Sequence, residues 1–236
     1  MIASLPMYDR PELREQTDAL WSAMRDAIRA RGKIAPETLD RETETANVWR
    51  DPALILSQTC GMPWRLDLHT KAQLIGTPDY DVTGCPPGYY CSVIVVRADD
   101  PRETRAEFAK STCAFNARDS QSGFAAWEET EFATWLQSGA HTESIKAVAN
   151  GKADIAAIDA VTWKLAQRYD LEAAMLRVME TTKPTPGLPF ITAKAQDSNA
   201  LAEAVSEAIV SLDTVTREAL SLTGFVRIPS ADYLAV

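Results

Sequence analysis

The 236-residue chain is 46% hydrophobic and 24% charged, the composition of an ordinary globular protein long enough to bury an ample core. Its 24 Lys and Arg against 33 Asp and Glu leave a net charge of −9, and no Lys/Arg stripe interleaved with aromatics is present, which argues against a nucleic-acid partner. No apolar run approaches the roughly 18 residues that a membrane span needs, so direct membrane insertion is not expected.

In chain order, Ile2–Met7 reads as a first core strand rather than a leader, because it lacks both a basic start and a cleavable hydrophobic segment. The expected location is therefore the periplasm if a leader has been removed, and the cytoplasm otherwise. Leu13, Leu20, Met24 and Ile28 line a first helix that Gly32 ends. Strands follow at Ala53–Gln58, Ala72–Gly76, Ser92–Val96 and Thr112–Phe115. An amphipathic helix is expected from Phe124 to Leu136, another over Thr142–Asn150, then a strand at Asp154–Ile158 and a helix at Ala160–Tyr169. Strands Leu176–Met179 and Pro189–Thr192 and helices Asn199–Leu212 and Thr214–Leu222 complete the chain. Such alternation predicts an α/β fold with largely parallel sheets.

Two proline-stiffened segments read as crossings between lobes. One is Gly84-Cys85-Pro86-Pro87-Gly88-Tyr89-Tyr90, and the other runs from Thr181 through Pro184, Pro186 and Pro189. They predict a discontinuous first lobe, residues 1–90 plus 184–236, and a continuous second lobe, residues 91–183. Of four cysteines, Cys91 and Cys113 sit inside strand patterns as buried thiols. Cys60 and Cys85 occupy Gly-containing loops and are the pair that a disulfide would join in an oxidising compartment. With no Cys-x-x-Cys pair and two histidines, a structural metal site has little to be built from, and no cofactor motif is visible.

The chemistry concentrates in Asn116-Ala117-Arg118-Asp119-Ser120-Gln121-Ser122-Gly123, between a strand and the expected helix. Two hydroxyls, a glycine without a Cβ and unpaired N–H groups at a helix start would form a binding place for a small oxyanion. Ser120 as a simple N-cap is the structural alternative. His141, near the next helix start, could add a donor or be a surface histidine. Asp159 ends an apolar strand and is either a helix cap or a carboxylate at the strand C-termini where open α/β sheets hold ligands. Tyr8 follows the first strand and is the leading aromatic candidate.

The pieces Ala3-Ser4-Leu5-Pro6-Met7-Tyr8, Leu56-Ser57-Gln58-Thr59-Cys60-Gly61, Gly76-Thr77-Pro78, Asp119-Ser120-Gln121-Ser122-Gly123, Ser138-Gly139-Ala140-His141, Gly151-Lys152-Ala153-Asp154-Ile155-Ala156-Ala157-Ile158-Asp159 and Pro186-Gly187-Leu188-Pro189-Phe190 occur in an informative order. Together they resemble the solute-binding proteins of ABC-type phosphate, phosphite and phosphonate importers. That resemblance implies a two-lobed type II periplasmic-binding-protein-like fold with two hinge crossings and an interlobe cleft. It also implies capture of a small oxyanion for an ABC permease by a monomer, with no catalysis and no cofactor. Ser120, Gln121, Ser122 and Gly123 would hold the oxyanion and His141 would assist. Tyr8, and Tyr90 or Tyr89, would supply aromatic contacts, and Asp159 matches a position that meets the amino group of aminophosphonates. The alternatives are a ligand sensor of the same fold and a hydrolase using Ser120 or Ser122, His141 and Asp159.

Overall fold

The computed structural model describes residues 1–127 and 130–236. Its strands are β1 (Ile2–Ser4), β2 (Leu54–Gln58), β3 (Ala72–Asp79), β4 (Tyr89–Tyr90), β5 (Ser92–Arg97), β6 (Thr112–Phe115), β7 (Thr134–Gln137), β8 (Ile155–Asp159), β9 (Leu176–Thr181), β10 (Thr185–Pro186), β11 (Phe190–Ala193) and β12 (Gly224–Val226). Its helices are α1 (Arg14–Ala30), α2 (Thr45–Val48), α3 (Gly61–Leu66), α4 (His141–Ala149), α5 (Ala160–Tyr169), α6 (Ser198–Ser211), α7 (Thr214–Ala219) and α8 (Ser230–Leu234). The chain divides into two units, Met1–Tyr89 with Pro186–Val236, and Tyr90–Thr185. Where the chain passes from one to the other, β4 and β10 pair as a two-stranded sheet.

The first unit holds a five-stranded sheet in the order β1-β2-β11-β3-β12. β1 and β2 are parallel, whereas β11 runs antiparallel to β2 and β3 because it enters after the return crossing. Leu20, Met24 and Ile28 bury one stripe of α1, the 3.6-residue pattern that the sequence displays. Trp49, Leu54, Trp64, Ile191 and Tyr233 belong to one core cluster of this unit. α8 is tied down by Tyr233, whose hydroxyl lies 2.6 Å from Thr77 Oγ1 and donates to the Gly187 carbonyl.

The second unit holds the sheet β7-β6-β8-β5-β9. β6, β7 and β8 are parallel, and β5 alone runs against its neighbours β8 and β9. Val93, Val95, Ala156 and Ile158 pack with Ile145, Val148 and Trp163 on one face. Ile94, Val96, Ile155 and Ala157 pack with Phe108, Trp127 and Phe132 on the other. Burial on both faces explains why these strands read as unbroken apolar runs.

One expected element is not formed. Phe124–Leu136 is no amphipathic helix: its described residues give a turn at 121–124, a short 3-10 turn at Ala125–Trp127 and strand β7. Phe124, Phe132 and Trp135 sit in a ring cluster with Phe115 and Trp127, with centroid separations of 4.9 to 5.7 Å. Aromatics that pack on a pleated sheet favour the strand, and β7 gains a parallel ladder on β6. Ile2–Met7 is also shorter than expected, since β1 ends at Ser4.

Candidate functional site

At one end of the second unit's sheet, β6 and β8 finish and β5 begins. Ser92, the first residue of β5, is in register with Asp159, the last of β8. Phe115 ends β6 and leads into residues 116–123. The turn before α4 is tied to the same loop: Gly139 N–H donates to the Asn116 carbonyl (3.0 Å) and Ser138 N–H to that of Phe115 (2.8 Å). Ser138 Oγ lies within 3.0 Å of the Phe115 and Ala140 carbonyls and 2.7 Å from Ser144 Oγ. Gly139, at φ +93°, supplies the left-handed conformation that lets this turn deliver His141 at the first position of α4.

Residues 120–123 form a self-bonded turn and not a helix start. The Ser120 carbonyl accepts from Phe124 N–H (3.2 Å) and Ala125 N–H (3.0 Å), and Ser120 Oγ accepts from Gly123 N–H (3.0 Å). The N–H groups of Gly123, Phe124 and Ala125 are therefore already engaged, and a short 3-10 turn stands where the helix was expected. What remains is a hydroxyl cluster. Ser122 Oγ lies 2.8 Å from His141 Nε2, and Ser92 Oγ donates to the Ser122 carbonyl at 2.9 Å. Ser120, Gln121, Ser122 and Asp159 are only 5%, 8%, 4% and 2% exposed. Gly123 is required by close packing, since a Cβ there would lie 1.9 Å from Asn116 Oδ1 and 3.1 Å from His141 Cε1.

Burial pushes the His141 imidazole down to about 4, with the Ala157 backbone opposing, so the ring is neutral at neutral pH. Its Nδ1 and Asn116 Oδ1 are buried atoms without a well-aligned partner among the described residues. Asp159 caps α5, where Oδ1 accepts from Val161 N–H (2.8 Å) and Thr162 N–H (2.9 Å). Tyr90 is buried at the start of this unit. Tyr89 belongs to the first unit and donates its hydroxyl to Asp232.

The structure thus gathers Ser120, Gln121, Ser122, Gly123, His141 and Asp159 at one strand-end region, with Tyr90 two residues before Ser92. Tyr8 is in the first unit, edge-on to Tyr80 at 5.1 Å between ring centroids. Sequence reasoning passed over Ser92 and gave Asn116, the first residue of the singled-out loop, no role of its own. Their signal was position, directly after a crossing and directly after a strand. Cys60 and Cys85 are half-buried residues of the first unit. Burial pushes the Cys113 thiol well up, as an inert core residue requires. Among the described residues, no three of His, Cys, Asp or Glu gather as a metal ion would need.

Residues 2–233 match the family model described as "ABC transporter, phosphonate, periplasmic substrate-binding protein". The chain belongs to this family. Membership brings a small-molecule ligand and an ABC permease partner, and members of the family are periplasmic. No helix among the described residues is long and apolar enough to cross a membrane. None of the curated proteins matches the sequence. Among solved structures, PhnD1 from Prochlorococcus marinus in complex with methylphosphonate is similar at a TM-score of 0.72 and 14% identity, covering 98% of this chain and 94% of that one. XAC2383 from Xanthomonas citri bound to ATP gives 0.72 at 16% identity, covering 99% and 94%. A phosphonate-transporter binding component from Pseudomonas aeruginosa gives 0.67 at 14%, covering 99% and 82%. At these identities the likeness establishes the fold, that of periplasmic substrate-binding proteins.

Proposed function

We propose that this protein captures a small oxyanion of the phosphonate and phosphate class, unchanged, for an ABC importer. The observation that carries this reading is the cluster of buried polar side chains at the C-terminal ends of β6 and β8. Burying so many hydroxyls and a carboxylate at one place is costly unless they are satisfied or used. Ser120 Oγ accepts from Gly123 N–H and keeps its own proton for another oxygen. Gln121, Ser122, His141, Asp159 and Tyr90 are assigned to the same ligand.

The Ser122–His141 pair also invites a hydrolase reading, and two features weigh against it. A neutral imidazole held near 4 is a weak base at neutral pH. Asp159 Oδ1 caps α5, a task that does not orient an imidazole. A thermal-shift and calorimetric panel of phosphate, phosphite, methylphosphonate and 2-aminoethylphosphonate tests the proposal. The preferred ligand at a hundredfold excess over Kd should stabilise the protein by about 2.7 kcal/mol and be recovered intact. Turnover of an activated ester that is lost in Ser122→Ala would contradict it.

A further inference from the structure

We propose that Ser122 meets the ligand as a hydrogen-bond acceptor, so that the site selects an oxyanion carrying a P–OH proton over the fully ionised dianion. This inference rests on the oxyanion-binding reading above and specifies the form of the ligand.

A serine hydroxyl has one proton, and a neutral imidazole has one N–H. The 2.8 Å contact between Ser122 Oγ and His141 Nε2 uses one of the two. The Ala157 backbone is the group whose hydrogen bonding favours a proton on the ring. Because Nε2 is turned to Ser122, that proton belongs on Nδ1, and Nε2 is left with its lone pair. Ser122 O–H therefore points at His141, and Oγ presents lone pairs elsewhere. The hydroxyl proton of Ser92 is likewise committed, to the Ser122 carbonyl. Asn116 Oδ1 adds a buried acceptor without a partner among the described residues. At Ser122 and Asn116 a dianion brings only lone pairs, whereas a P–OH brings a donor, and the Ser120 O–H is left for an unprotonated oxygen.

The charged groups on elements packed against α4 are Asp159 on β8, Arg97 on β5, Lys164 and Arg168 on α5, and Glu172 in the turn after α5. On α4 itself, Glu143 and Lys146 pair with each other. None of these is among the causes that set the protonation of His141, which is already neutral throughout the range of the ligand's second ionisation.

The test is calorimetric titration with methylphosphonate across its second ionisation, beside its monomethyl ester, a monoanion that has no P–OH. Methylphosphonate should weaken about tenfold per pH unit above that ionisation. Below it, the ester should bind about tenfold or more weakly than the parent acid, and Ser122→Ala should bring that ratio towards one. Affinity that is flat or rises with pH, or an ester equal to the parent acid, overturns the inference and leaves oxyanion binding intact. Failure of both probes to bind at any pH overturns the functional reading together with it. The wild-type pH series stands even if the variant does not fold.

Discussion

The two ends of the second unit's sheet are built from opposite kinds of polarity. At the end where β5 finishes and β6 and β8 begin, Arg102 forks onto Asp100 at 2.9 and 2.6 Å and reaches Asp154 at 3.1 Å and Ser111 Oγ at 2.7 Å. Its guanidinium lies 3.9 Å above the Phe108 ring centre, and Asp154 also accepts from Thr112 N–H. Every charge in that cluster has a partner. At the other end stand a Ser122–His141 contact, a half-buried neutral imidazole and Asn116 Oδ1, a buried acceptor without a partner among the described residues. Satisfied charge reads as stability, and polar groups left short of partners read as a place for a ligand.

That contrast can be broken by substitution. Arg102→Met should have the largest effect, destabilising by roughly 3 kcal/mol in urea denaturation because it leaves the buried Asp100 unpaired. Methylphosphonate affinity of the folded variant should not change. The Arg102 guanidinium holds the Asp100 carboxyl at about 2, so this stability is present above the ordinary carboxylate value of 3.8 and is lost as pH falls towards 2.

His141 gives a second acid-sensitive window, placed higher. The unfolded chain takes up its proton below 6.5 and the folded one only near 4, so stability falls as pH drops between those values. In full this amounts to on the order of 3 kcal/mol. Chemical denaturation at a series of pH values should show the slope in wild type and a flatter one in His141→Gln. An equal slope in both would mean that the fold does not hold the imidazole neutral.

Gly123→Ala should cost about 1–3 kcal/mol by overpacking, because the new Cβ meets Asn116 Oδ1. The smallest stability effect belongs to Asp159→Asn, a few tenths of a kcal/mol, since asparagine caps a helix nearly as well. If that variant keeps its melting temperature but loses affinity, Asp159 does more than cap α5. If affinity is also kept, Asp159 does not meet the ligand.

Much of this was legible in the sequence. β5, β6 and β8 are apolar runs because both faces of the sheet are covered, and α1 shows its stripe because one side of it meets the core. β7 was misread as helix. Its aromatic residues satisfy a helical spacing on paper, and only the neighbouring strand and rings decide between the two. The same error hid the nature of the site. With a helix expected after Gly123, the loop promised free main-chain donors, whereas the actual turn engages those of Gly123, Phe124 and Ala125 and brings buried side chains to the fore. Ser92 and Asn116 had only their positions in the chain to mark them, and it is register and loop closure that bring them to the site.

The most direct test of the account compares calorimetric titrations of wild type and Ser122→Ala with the best ligand of the phosphonate and phosphate panel. The variant should remain folded and bind roughly ten- to a hundredfold more weakly, corresponding to about 1–3 kcal/mol. A folded Ser122→Ala protein with wild-type affinity would show that the oxyanion is held somewhere other than this strand-end cluster.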